Sequence, residues 1–113
     1  MGATHGGTDY VAKPGQDVVA VHDATVTRIG NAYKGDSRLQ IINMKTPNGY
    51  TVGELYVSPS SGVKAGTKVT AGQVIGTAQD VRVRTGPAVT PHVHVQIHLG
   101  GERVNPQTLI PVP

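Results

Sequence analysis

The chemistry in this sequence sits in its histidines. His92-Val93-His94-Val95-Gln96-Ile97-His98-Leu99 alternates polar and apolar residues without exception. Successive side chains of a β-strand point to opposite faces. His92, His94, Gln96 and His98 therefore share one face, and Val93, Val95, Ile97 and Leu99 the other, which is the expected core face. Two imidazoles at i and i+2 stand about 6–7 Å apart along a strand, close enough to serve one site. One ring can ligate a zinc ion while the other acts on water or substrate. Near the other end of the chain, His5-Gly6-Gly7-Thr8-Asp9 places a histidine and an aspartate four residues apart, with two glycines between them. Glycine lets a backbone turn tightly enough for both side chains to face one ion. Imidazole and carboxylate suit zinc, and three protein ligands with an open position make a catalytic zinc arrangement. The plainer alternatives are a solvent-facing strand that carries histidine and a poorly ordered N-terminus.

Such residues need rigid elements to hold them, and the pattern around them is that of strands. Apolar residues mostly follow a period of two in Asp17–Val21, Thr25–Gly30, Arg38–Met44 and Tyr50–Val57, with shorter runs at Lys68–Thr70 and Gln73–Gly76. β-branched residues, alternation and frequent Gly, Pro and Asn describe an all-β domain. Pro47-Asn48-Gly49 carries Asn-Gly at a turn tip and predicts a hairpin between its flanking strands. Fifteen Gly and eight Pro in 113 residues leave little room for long helices. The stretch Asp80–Pro91 lacks strand periodicity and reads as a loop, long enough to suggest function. One domain spanning residues 1–113 is expected.

Composition narrows the function further. With no cysteine, the chain has no disulfides, thiolate zinc sites or cysteine nucleophiles. A net charge of +3 allows an anionic partner such as cell wall, membrane surface or nucleic acid. The basic residues are scattered, apart from Arg82-Val83-Arg84, and no aromatic residues interleave them, so no nucleic-acid partner is expected. No apolar run approaches the ~20 residues of a membrane span. The opening Met-Gly-Ala-Thr-His-Gly-Gly has neither a basic n-region nor an apolar h-region, so no signal peptide is expected in this stretch.

These residues together resemble the lysostaphin/LytM-type zinc metallopeptidases. His5-x-x-x-Asp9 and His92-x-His94 carry the likeness at the two ends. Between them Pro14-Gly15-Gln16-Asp17-Val18-Val19-Ala20, Gly49-Tyr50 to Leu55-Tyr56 and Val63 through Gly76 resemble the family's strands in order, and Val104-Asn105-Pro106 matches its closing Asn-Pro. The resemblance implies a compact antiparallel β-sandwich or half-barrel with an open groove and zinc on its floor. It implies hydrolysis of peptide bonds in peptidoglycan, with Zn2+ held by His5, Asp9 and His94 and with His92 as general base or transition-state stabiliser. It implies a location at the cell wall or outside the cell, or in a phage virion as a wall-opening component.

The sequence departs from the family pattern at one place. Active members usually carry another histidine in a Tyr-x-His element, and Leu55-Tyr56-Val57-Ser58-Pro59 puts Ser58 there. A serine hydroxyl donates a hydrogen bond but carries no proton near pH 7. This departure, with the longer loop from Gln79 to Pro91, resembles a branch that includes the leukocyte cell-derived chemotaxins, which keep the ligands and lack the usual catalytic pair. Two functions follow: an endopeptidase, or a zinc-holding module that binds wall peptides or a protein partner without turnover. A purely structural domain fits the retained ligands less well. Tyr56, Ser58 and His98 are candidate substrate-contacting residues on the groove. Tyr10 and Tyr56 are candidate donors to an oxyanion, and Arg82 and Arg84 are candidates to edge the groove.

Overall fold

The computed structural model describes residues 8–99 and 102–104. Ten strands run through them: β1 (Thr8–Val11), β2 (Asp17–Val19), β3 (Ala24–Tyr33), β4 (Asp36–Lys45), β5 (Thr51–Leu55), β6 (Val57–Pro59), β7 (Lys68–Val69), β8 (Val74–Ala78), β9 (His92–Leu99) and β10 (Glu102–Val104). The all-β expectation holds. The runs read from alternation became strands because each has an apolar face to bury and β-branched residues that fit a pleated surface. The Asn48-Gly49 turn joins β4 to β5 as an antiparallel hairpin. Gly49 sits at φ 92, a left-handed conformation that costs glycine little.

The larger sheet is a curled antiparallel half-barrel in the order β1-β9-β5-β4-β3-β7, with β10 also paired to β9. The smaller sheet has the order β2-β8-β6. Gly76 of β8 makes the β6 pairing possible. A Cβ there would lie 2.2 Å from the Ser58 carbonyl oxygen, so only glycine lets the two backbones approach. The glycine-rich run from Val63 to Gly76 supplies β7 and β8 around its turns, as expected.

The main core lies between the sheets and is almost wholly aliphatic. Val26, Ile42, Met44, Val52, Ile75, Val93, Val95 and Ile97 are all buried there. One charged side chain shares that face: Glu54 of β5, 1% exposed. A second, smaller cluster of Leu39, Ile41, Leu55, Tyr56 and Val81, with Ala32, Tyr33 and Val89 packed on it, lies beside the site.

The stretch read as a loop before β9 contains one short helical turn, α1 (Arg82–Thr85). Just before the turn, Asp80 accepts from the Arg82 backbone N–H and pairs with its guanidinium, and the segment is too short to show helical periodicity. Val81 and Val89 fold back from it onto Ile41 and Leu55. Among the described residues no helix is long and apolar enough to cross a membrane.

Candidate metal centre

The alternation read in β9 appears in full in the structure. Val93, Val95 and Ile97 are 4%, 1% and 0% exposed, while His92, His94, Gln96 and His98 face the other way and are half-buried. The side chain of Leu99 lies outside the described residues. Register then decides what meets the histidines. Strand β1 runs antiparallel to β9 with Asp9 directly opposite His94 and Val11 opposite His92. Directly opposed residues share a face, so the aspartate from the start of the chain lands beside two histidines from its end.

Asp9 Oδ1 and His94 Nδ1 are 2.5 Å apart, and His92 Nε2 is 3.9 Å from the same oxygen. The Asp9 carboxylate is open to solvent, with its side chain 59% exposed, whereas the two rings are 18% and 20% exposed. A carboxylate can only accept, so His94 donates from Nδ1. His92 Nδ1 lies 2.8 Å from the Thr90 carbonyl oxygen, which also can only accept. That contact puts the proton on Nδ1 and leaves the Nε2 lone pair facing Asp9. Thr90 belongs to the loop carrying α1, so this loop orients the His92 ring.

His5, the third expected ligand, lies outside the described residues. Among the described residues no group of three or more His, Cys, Asp or Glu is placed to hold a metal ion. Asp9 and His94 fit zinc by donor type, a carboxylate oxygen and an imidazole nitrogen turned toward each other. His92 is turned toward the same carboxylate, but its Nδ1 is engaged by Thr90.

The remaining candidates fall in different places. Tyr56 is at the site. Its ring meets His92 edge-on, with centroids 5.3 Å apart. Ser58 is half-buried on β6 in the smaller sheet, opposite Thr77, and no hydrogen bond among the described residues joins it to Asp9, His92 or His94. His98 shares the histidine face but lies four residues beyond His94, roughly 13 Å along the strand, opposite Thr51 of β5 and Arg103 of β10. Tyr10 is opposite Val93, on the core side of β1, so it points away from Asp9 and is no oxyanion donor. Arg82 and Arg84 do not stand free at a groove edge. They are occupied by Asp80 and Asp36.

Two residues beside the site, Tyr33 and Asp36, had no signal in the sequence, and Arg84 had one only as a groove-edge candidate. Tyr33 donates to or accepts from the Tyr56 hydroxyl at 2.8 Å, and their rings stack with centroids 6.1 Å apart. The Arg84 guanidinium lies 4.0 Å above the Tyr33 ring. Asp36 anchors that guanidinium and also binds Arg38 through two oxygens. The Arg38 hydrogen bonds, more than any other contact, hold the Asp36 carboxyl well below the usual carboxylate range. Burial first, then the bond to Tyr33 and the charge of Asp9, push the Tyr56 phenol well above the usual tyrosine range.

Comparison with known proteins places the chain in a family. The family model for "Peptidase family M23" matches residues 3–106. An uncharacterized metalloprotease of Haemophilus influenzae is 30% identical over 105 residues, which are 93% of this chain and 21% of that protein. The peptidoglycan DD-endopeptidase ShyC of Vibrio cholerae is 32% identical over 106 residues, 93% of this chain and 22% of that protein. The chain thus spans about a fifth of the length of these relatives. In fold it is similar to the antimicrobial peptidase lysostaphin from Staphylococcus simulans, with TM-score 0.73 and 24% identity over 94% of this chain and 43% of that one. On the family match across nearly all its length, this chain belongs to peptidase family M23.

Proposed function

We propose that this chain is a zinc-dependent endopeptidase domain that hydrolyses peptide bonds in bacterial peptidoglycan. The observation that carries this reading is the convergence of Asp9, His92 and His94 on one open face of the sheet, with a hydrogen bond between the first and last. Membership of a peptidase family and similarity to a peptidoglycan DD-endopeptidase support the reaction and the substrate class.

Zinc would be held by Asp9 and His94 together with His5, and when bound it would acidify water and polarise the scissile carbonyl. His92 supplies the proton chemistry. Its Nδ1–H is held by the Thr90 carbonyl, so Nε2 is free to take a proton from the attacking water and deliver it to the leaving amine. An imidazole both takes and gives a proton, as the two halves of that exchange require. The wall is reached from outside the cytoplasm, so the domain acts at the cell wall, in the host's own envelope or carried by a phage particle.

Ser58 favours a second reading, a zinc-holding module that binds wall peptides without cutting them. The resemblance to the lysostaphin type puts it where active members carry a histidine, and no hydrogen bond among the described residues joins it to Asp9, His92 or His94. One pair of measurements separates the two. Metal analysis of the purified protein should find about one zinc per chain, lost in Asp9→Ala and His94→Ala. Incubation with purified walls should release new amino termini. Zinc present, walls intact and turnover appearing in Ser58→His would establish the binding module. Absence of zinc in the unaltered protein would remove both readings.

A further inference from the structure

Arg28, Lys45 and Lys68 lie far apart in the sequence, yet the fold brings them to one side of the face that carries His94. Strand register does this. Thr25 of β3 is directly opposite both Lys45 of β4 and Lys68 of β7. Lys45 is opposite Thr51 of β5, and Thr51 is opposite His98 of β9. Directly opposed residues share a face, so these residues form one row across the larger sheet, on the side away from the main core. The adjacent row on that face is Arg28, Asn43, Gly53 and Gln96. The row beyond it holds Gly30, Ile41, Leu55, His94 and Asp9. The candidate metal ligands thus lie at the β9 side of the face and the cations at the β3 side.

The middle row is the open path between them. Ile41 and Leu55 are covered by Tyr56, Val81 and Val89, so the small cluster walls one side of that path. Asn43 and Gln96 are half-buried amides along it, able to bond a peptide backbone, and Gly53 between them adds no side chain. At the β3 end the Arg28 side chain is exposed and laid along the sheet. A Cβ at Gly30 would lie 2.7 Å from Arg28 Nη2 and 2.9 Å from its Cζ, so the guanidinium occupies the space a side chain at position 30 would fill. Lys45 is the diagonal neighbour of Arg28 across the β3–β4 pair. Beside them opens a cavity of about 630 Å³ whose lining includes Thr25, Thr27, Lys45 and Lys68.

These cations differ from the arginines near the small cluster. Arg38 and Arg84 are paired with Asp36, and Arg82 with Asp80. No ion pair among the described residues engages Arg28, Lys45 or Lys68. The carboxylate in the cavity lining, Asp23, accepts from the Ala71 N–H at 2.8 Å. Like charges gathered without an internal counter-ion attract an anion from outside.

We propose that the β3 side of this face is a subsite for the carboxylate groups of an acidic wall peptide, with Arg28 as the main contact and Lys45 and Lys68 beside it. A guanidinium takes a carboxylate through two parallel hydrogen bonds, which gives direction as well as attraction. Three strand spacings of about 4.8 Å separate β9 from β3 in the sheet order. That is roughly 14 Å, the span of about four extended residues. A carboxylate about four residues from the scissile bond therefore reaches Arg28. Stem peptides carry carboxylates close to their cross-links, whereas a glycine bridge carries none along its length. The subsite thus selects acidic cross-links over neutral bridges.

This inference rests on the endopeptidase reading for its substrate, and its test lets the two fail separately. The full chain is titrated by calorimetry with a cross-linked stem peptide whose carboxylates are free, and with the same peptide amidated at those positions. The acid form should bind about five- to tenfold more tightly, the scale of one charge-assisted pair at an exposed site. That preference should shrink as salt is raised. Arg28→Gln should bring the acid-to-amide ratio close to one. Gly30→Ala keeps the charge but displaces the guanidinium from its seat, and should lower the ratio part of the way, as should Lys45→Gln. Lys13→Gln removes the same charge in the turn between β1 and β2 and should leave the ratio unchanged. Amide NMR spectra check that each variant is folded. Equal binding of the two forms, no measurable binding of the acid form, or an equal loss of preference in Lys13→Gln and Arg28→Gln overturns the subsite. So does a glycerol-phosphate oligomer that binds more tightly than the acid peptide and loses affinity in Arg28→Gln, which would assign the face to phosphate polymers. Release of amino termini from walls is measured alongside. Cleavage with an acid-to-amide ratio of one removes the subsite and leaves the endopeptidase, and a high ratio without cleavage does the reverse.

Discussion

The two apolar clusters of this molecule are built on opposite faces of the same strands and differ in kind. The main core is a continuous layer of Val, Ile, Met and Ala between two sheets, made from residues that alternate along each strand. The smaller cluster mixes Leu39, Ile41, Leu55 and Val81 with two tyrosines and is bordered by the Asp36, Arg38 and Arg84 ion pairs. The first stabilises by area removed from water. The second buries less and instead fixes directions: that of the loop that orients His92 through Thr90, and that of the Tyr56 ring. The main core thus carries the fold, and the small cluster carries the alignment of the site.

The contrast can be broken from either side. The largest effect on function is expected at His94. His94→Ala should abolish zinc binding and wall hydrolysis, while the stability of the metal-free protein changes by under about 0.5 kcal/mol, because the ring is not part of either core. Metal analysis and urea unfolding check both halves. One pair away on the closed face, Ile97→Ala should do the reverse. Removing a side chain that is 0% exposed should cost about 2–5 kcal/mol in the urea midpoint and leave the zinc content of the folded fraction intact.

Glu54 sharpens the comparison by pH. Its Oε2 accepts from the Val21 N–H at 3.0 Å, and its other oxygen is buried with no hydrogen-bond partner among the described residues. Burial pushes the carboxyl up to about 8, opposed by the Val21 bond. The folded state therefore holds a proton that the unfolded chain gives up at the ordinary carboxylate pKa. The associated stability is present below that pKa and is lost as pH rises toward about 8. Glu54→Gln should remove this slope and gain on the order of a few kcal/mol at pH 8, read from urea midpoints at pH 5 and pH 8. A slope of equal size in the variant would assign the effect to other groups.

A smaller core loss is expected in the second cluster. Val81→Ala should cost about 1–3 kcal/mol, less than Ile97→Ala, yet lower kcat because the loop that holds His92 loses its anchor. If kcat falls only in proportion to the folded fraction, the small cluster has no role in alignment beyond its share of stability.

Strand positions, the Asn48-Gly49 hairpin and the shared face of His92 and His94 were legible in the sequence, because each depends on spacing within a few residues. Asp9 was legible as a candidate by type and by family resemblance, and His5 remains an expectation beyond the described residues. The helical turn α1 was not legible, since four residues show no periodicity.

What the sequence determined by itself is local: an all-β chain whose last long strand sorts imidazoles to one side and aliphatic residues to the other. What only the tertiary structure decided is which residues meet across the sheet. Asp9 faces His94 across 85 positions and Arg84 reaches Asp36 across 48, while Tyr33 meets Tyr56 across 23. Those meetings follow from strand order and register, set by burying the whole apolar surface at once, and no periodicity within one segment encodes them.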